Sequence, residues 1–208
     1  MSILVLTSDT LSSPAAAGQI EYTSPIFAAT PIGTQRGIVP TQQYYRLDSA
    51  YVGSNATGAQ SIFGVGVTLS SSTVYEFEML VQMSKTAGTT SHTIGFGFGG
   101  TATLNNIVYQ FTGAFNTATI AQGTATPLTT GYLTTASNTV VTGASANATV
   151  YYWSIFKGTV SVNAGGTFIP QYTLSAAPGG AFSTVAGSFI RIAPIGASGS
   201  ATNVGTWA

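Results

Sequence analysis

From about Thr41 onward, apolar and polar side chains alternate with a period of two, the pattern of strands with one face buried and the other wet. In Val74 to Met83, the side chains of Tyr75, Phe77, Met79, Val81 and Met83 share one face, and Glu76 and Glu78 lie on the other. Ile94, Phe96 and Phe98 alternate with Thr93, Gly95 and Gly97, and Ile107, Tyr109 and Phe111 make a third stripe. Tyr151, Trp153 and Ile155 face one way along a fourth strand, with Tyr152, Ser154 and Phe156 opposite. Ser188 to Ile195 is apolar on both faces apart from Ser188 and Arg191. Weaker strand segments are Tyr44 to Leu47, Ile62 to Leu69, Thr139 to Thr142 and Phe168 to Leu174. Glycine and Ser/Thr clusters separate them, and Glu, Lys and Arg are too scarce to build ordinary amphipathic helices. The pattern predicts an all-β fold of roughly eight to ten strands, an antiparallel, jelly-roll-like β-sandwich over residues 41–208.

The first forty residues differ. Pro14, Pro25, Pro31 and Pro40 each remove a backbone donor and disfavour helix around them. Between them lie short extended pieces, Ile3 to Leu6, Gln19 to Tyr22 and Ile26 to Phe27. Residues 1–40 are expected to form an extended, proline-rich N-terminal arm that lies along a neighbour, or else edge strands of the main domain joined by proline loops. The opening Met1-Ser-Ile-Leu-Val-Leu-Thr7 lacks a positive n-region and a full apolar h-region, so no signal peptide is expected. No apolar run reaches the roughly 18 residues of a membrane span. Asn55-Ala-Thr57 and Asn147-Ala-Thr149 match the glycosylation pattern, which a Thr-rich chain meets by chance.

Composition narrows the chemistry. Cysteine is absent and His92 is the single histidine, so thiolate sites, disulfides and multi-histidine metal centres are excluded. Five basic and five acidic residues give a net charge of zero and a charged fraction of 5%, against about 25% in ordinary globular chains. Such a chain has no cationic stripe for nucleic acid. A hydroxyl-rich, nearly uncharged surface is cheap to desolvate, which points to a chain packed against copies of itself or a larger particle.

Five groups of residues bear on the chemistry. Gly95-Phe-Gly-Phe-Gly-Gly100 formally matches a dinucleotide fingerprint, but its glycines alternate with aromatics inside a strand instead of opening a helix. The better account is a strand with one bare face, against which another backbone packs. Glu76 and Glu78 lie about 6.5–7 Å apart on one strand face, within the separation a glycosidase pair needs, although a solvent face is where Glu belongs anyway. A triad would need His92 with Asp9 or Asp48, and no Gly-x-Ser-x-Gly elbow accompanies it. Tyr44, Tyr45, Tyr51, Tyr132, Tyr151 and Tyr152 are candidates for a glycan platform. Arg46, Lys157 and Arg191 sit in or beside apolar stripes and need partners, for which Asp48, Glu76, Glu78 and Glu21 are the candidates. No catalytic, cofactor-binding or metal-binding residue is assigned, and no enzymatic activity is expected.

Several stretches together resemble bacteriophage virion proteins. Thr10-Leu-Ser-Ser-Pro14-Ala-Ala-Ala-Gly18-Gln-Ile-Glu21-Tyr22, followed by Phe27 and Arg36-Gly37, is similar to the opening segment of phage tail-fibre-like and head-decorating chains. Thr73-Val-Tyr-Glu-Phe-Glu78 and the Gly95–Gly100 run resemble their core strands. Gly187-Ser-Phe-Ile-Arg191-Ile-Ala-Pro194 and Asn203-Val-Gly-Thr-Trp207 resemble their closing strand and terminal tryptophan. The chain departs from the family at Thr23-Ser24, where Asp-Gly is usual after Glu-Tyr. The resemblance implies a β-sandwich virion component, a homotrimer assembled in the host cytoplasm. The expected role is capsid decoration (cement), with the major capsid protein or other virion proteins as partners and no nucleic acid, membrane or cofactor. The alternative is a tail-fibre or receptor-binding head that recognises host glycans.

Overall fold

A computed structural model describes residues 3–116 and 128–207. The described residues form strands and no helix. In chain order these are β1 (Gln19–Thr23), β2 (Ile26–Thr30), β3 (Gly37–Val39), β4 (Gln43–Arg46), β5 (Tyr51–Val52), β6 (Gln60–Ser61), β7 (Val67–Leu69) and β8 (Thr73–Lys85). There follow β9 (Ile94–Gly99), β10 (Thr103–Asn116), β11 (Leu128–Leu133), β12 (Thr139–Val140), β13 (Val150–Ala164), β14 (Gly166–Leu174), β15 (Ser183–Thr184) and β16 (Phe189–Ala197). The number exceeds the expected eight to ten because the sheet margins are broken into pieces of two to four residues.

All pairings are antiparallel. The larger sheet runs β11-β10-β13-β8, and the far side of β8 is lined by β16 along one half and β15 along the other. β4 borders β16 and β5 borders β15. The smaller sheet runs β12-β9-β14, with β6 and β7 both beside β14. The two sheets make a β-sandwich, because rings from each meet in one core: Phe77 lies 5.2 Å from Phe98, Phe96 stacks on Tyr152 at 5.2 Å, and Tyr109 meets Phe98 edge-on at 5.2 Å. Each such ring pair adds about 0.5–1.5 kcal/mol beyond the area it buries.

The inward stripe of β8 is the expected one, with Tyr75, Phe77, Met79, Val81 and Met83 all buried. On β13 the buried face belongs to Tyr152, Ser154 and Phe156, and Tyr151, Trp153 and Ile155 look outward. The Ile62–Leu69 segment is not one strand. Ile62 and Phe63 are both buried, and Gly64 turns the chain with φ +73°, leaving β6 and β7 on either side.

The glycines of β9 do present a bare face. Phe98 N–H donates to the Ala136 carbonyl at 2.8 Å. A Cβ at Gly97 would lie 2.7 Å from that carbonyl oxygen and from Asn138 N, so only glycine admits the backbone here.

Residues 19–39 are folded where an extended arm or edge strands of the main domain were expected. β1, β2 and β3 make a separate three-stranded sheet that pairs with neither larger sheet. A Ser24–Pro25 turn closes the β1–β2 hairpin. Ile26, Ala28 and Thr30 of β2 are buried, and β2 touches β16. Residues 3–18 belong to no strand.

Candidate functional site

Three surfaces concentrate side chains that the fold itself does not use. The first is the N-terminal unit. Glu21 and Arg36 lie 15 residues apart, and the Arg36 Nε donates to Glu21 Oε2 at 2.9 Å. Arg36 Nη2 donates to the Ser12 carbonyl at 2.7 Å, and Ser12 N–H returns a bond to Glu21 Oε1 at 2.7 Å. The Ser12 N–H, with Arg36 beside it, holds the Glu21 carboxyl below the usual carboxylate range. Arg36 and Glu21 thus neutralise each other within the unit, while several of its apolar side chains stay uncovered. Ile3, Leu4 and Val5 are 78%, 85% and 77% exposed, and Ile20, Ile32 and Trp207 are exposed as well.

The second surface is the outer face of the larger sheet. Pairing register places Lys157 of β13 and Arg191 of β16 on either side of Glu78 in β8. Lys157 Nζ and Arg191 Nη2 approach the same oxygen, Glu78 Oε2, at 2.9 and 3.0 Å. Lys157 first, and Arg191 after it, lowers the Glu78 pKa. A glycosidase acid needs the opposite shift. Glu76 is exposed at the margin of the same shallow polar groove. One cross-strand row away, Phe189, Leu80 and Ile155 stand side by side, with Tyr44 stacked on Phe189 at 5.4 Å.

The third is a cleft of about 330 Å³ where the sandwich opens between β4 and β7. Its walls include Tyr44, Tyr45, Phe63, Val65, Pro170 and Ile190. Nearby, Arg46 pairs with Asp48.

No protein-family model matches the chain, and no curated protein matches it.

The remaining sequence candidates separate in space. Tyr44 and Tyr45 line the cleft, Tyr51 packs its ring over Gly64, and Tyr132 is exposed on β11 at the opposite margin of the larger sheet. Tyr152 is core, and burial pushes its pKa up to about 12. His92 is buried and hydrogen-bonded. It bridges Ser145, its ring Nδ1 meets the Thr90 carbonyl at 2.8 Å, and it packs edge-on against Phe182. Asp48 is taken by Arg46 and Asp9 accepts from Thr10 N–H, so these contacts assemble no triad. Among the described residues no group of three His, Cys, Asp or Glu side chains could hold a metal ion.

One residue escaped sequence reasoning. Lys85 continues the buried stripe of β8 and is 2% exposed. Its ammonium donates to four carbonyls, of Ala87, Gly88, Asn147 and Ala148, at 2.6–3.2 Å. Its parity with Tyr75 through Met83 was the available signal.

Proposed function

We propose that the chain is a structural subunit of a bacteriophage particle, a trimeric decoration (cement) protein whose jelly-roll-like sandwich sits on the head and stabilises it. The observation that carries this reading is the N-terminal unit, where Ile20 and Ile32 are exposed beside a closed Arg36–Glu21–Ser12 network. Exposed apolar side chains gathered in one place mark a contact surface. A surface whose Arg36 and Glu21 are already paired suits a neutral partner packed closely against it. Many copies on a lattice convert a modest individual contact into firm attachment. The outer row of Phe189, Leu80 and Ile155 offers a second patch for contact along the particle.

The test is co-sedimentation of the purified chain with heads that lack it. Wild-type protein is expected to pellet with heads, and an Ile20→Asp, Ile32→Asp variant to remain in the supernatant. Equal pelleting of the two would remove the N-terminal unit as the docking surface.

A second reading, a tail-fibre or receptor-binding head, is favoured by Tyr44 and Tyr45, exposed at the apolar cleft where aromatic faces can stack on sugar rings. It predicts that the purified protein coats host cells and blocks phage adsorption. Lack of cell binding at micromolar protein would dismiss it.

A further inference from the structure

The cleft and the N-terminus are each incomplete, and in complementary ways. Among the described residues, β4 pairs only with β16 and β7 only with β14, so each rim of the cleft carries a free strand edge. No charged residue lines the cleft. Unpaired edges of this kind invite an added strand.

The chain holds a segment with the matching properties. Ile3-Leu-Val-Leu6 is uncharged, belongs to no strand and has Ile3, Leu4 and Val5 almost fully exposed. Its tie to the rest of the unit comes just after it, where Ser8 Oγ accepts from Ser24 N–H at 2.9 Å and Asp9 N–H donates to the Tyr22 carbonyl at 3.1 Å. The pattern of the segment is informative. A strand with one wet face alternates, but all four residues here are apolar, as in strands buried on both faces. A strand lying between the margins of two packed sheets meets apolar surface on both sides.

We propose that Ile3 to Leu6 of one copy inserts as an extra strand along the free edge of β4 in a second copy and fills the apolar cleft there. Donor and acceptor are different surfaces, so the contact is heterologous and is satisfied throughout when copies close into a ring. The contact needs a second copy and no virion, and it stands apart from the particle reading.

Absence of native cysteine makes the test clean. Leu4→Cys and Val65→Cys proteins, both altered at exposed positions, are mixed and oxidised. The expected product is a disulfide-linked pair of one chain of each kind, in clear excess over pairs of like chains. In parallel, Leu4→Asp is expected to lower the mass seen by light scattering to that of a monomer, with an unchanged circular dichroism spectrum. Mixed pairs no more abundant than like pairs, a Leu4→Cys, Val65→Cys double variant whose disulfide forms wholly within one chain, or a wild-type monomer at high micromolar concentration would each overturn the proposal. Failure here with the protein still found on heads would sink strand insertion alone. Insertion without head attachment would sink the particle reading alone.

Discussion

Lys85 Nζ lies 2.6 Å from the carbonyl oxygen of Asn147, 62 positions further along the chain. Together with the Ala148 carbonyl at 3.1 Å, this bond ties the end of β8 to the loop that leads into β13. Among the described residues the ammonium forms no salt bridge and is held by backbone oxygens over the Phe182 ring, 6.0 Å from its centroid. Lys85→Ala would remove all four of these charge-assisted bonds and the tie between the two loops. The expected loss is about 3 kcal/mol, measured by urea denaturation.

Tyr109 offers the reverse case. Its hydroxyl is buried with no hydrogen-bond partner among the described residues, and burial pushes its pKa up to about 12. Replacing it with Phe removes a desolvated polar group and keeps the ring contacts with Phe98 and Phe77. Tyr109→Phe is expected to leave stability unchanged or raise it by about 1 kcal/mol near neutral pH.

The alkaline limb of the stability curve follows from the same burial. Tyr109, Tyr152 and Tyr172 are each raised from 10.0 to about 12. A raised folded value means that the folded chain holds protons the unfolded chain releases. Their stabilisation is complete below pH 10 and is lost as pH rises toward 12, on the order of 3 kcal/mol for each tyrosine. Lys85 is lowered from 10.5 by burial, so its contribution rises with pH up to 10.5 and opposes the loss only there. Urea midpoints are expected to fall steeply between pH 10 and 12, and less steeply in Tyr109→Phe.

Glu78 makes an acid-side prediction. Its carboxylate serves both Lys157 and Arg191, which are themselves partly exposed, so Glu78→Gln is expected to cost only about 1 kcal/mol at neutral pH. A lowered folded pKa places that contribution fully above 4.5 and removes it as pH falls through the folded value. Wild type and variant should therefore converge in strong acid.

Gly97→Ala tests the bare face of β9. The added methyl would press on Ala136 O and Asn138 N at 2.7 Å, both backbone atoms with little freedom to withdraw. A loss of about 1–3 kcal/mol is expected. An unchanged thermal midpoint would mean that the 136–139 segment does not pack there.

The long strands were legible because each carries an unbroken stripe: β8, the middle of β10 and β14 bury the side chains that period two selects. β11 was not, because its apolar Leu128 and Tyr132 point outward and Gly131 faces the Phe111 ring, where a Cβ would collide. The N-terminal sheet was hidden for another reason. It is pinned by Arg36, Glu21 and Ser12, polar residues far apart in sequence whose meeting leaves no periodic trace. The apolar cleft joins strands of two sheets, so its residues come together only in the folded chain. Lys85 shows the limit of judging by residue type, since its position was readable and its charge argued against burial.

Decoration of a phage head, proposed above, is open to immunogold labelling of the source particles under the electron microscope. Dense label distributed over the head is the predicted result; label confined to the tail tip, or none on the particle, would contradict it.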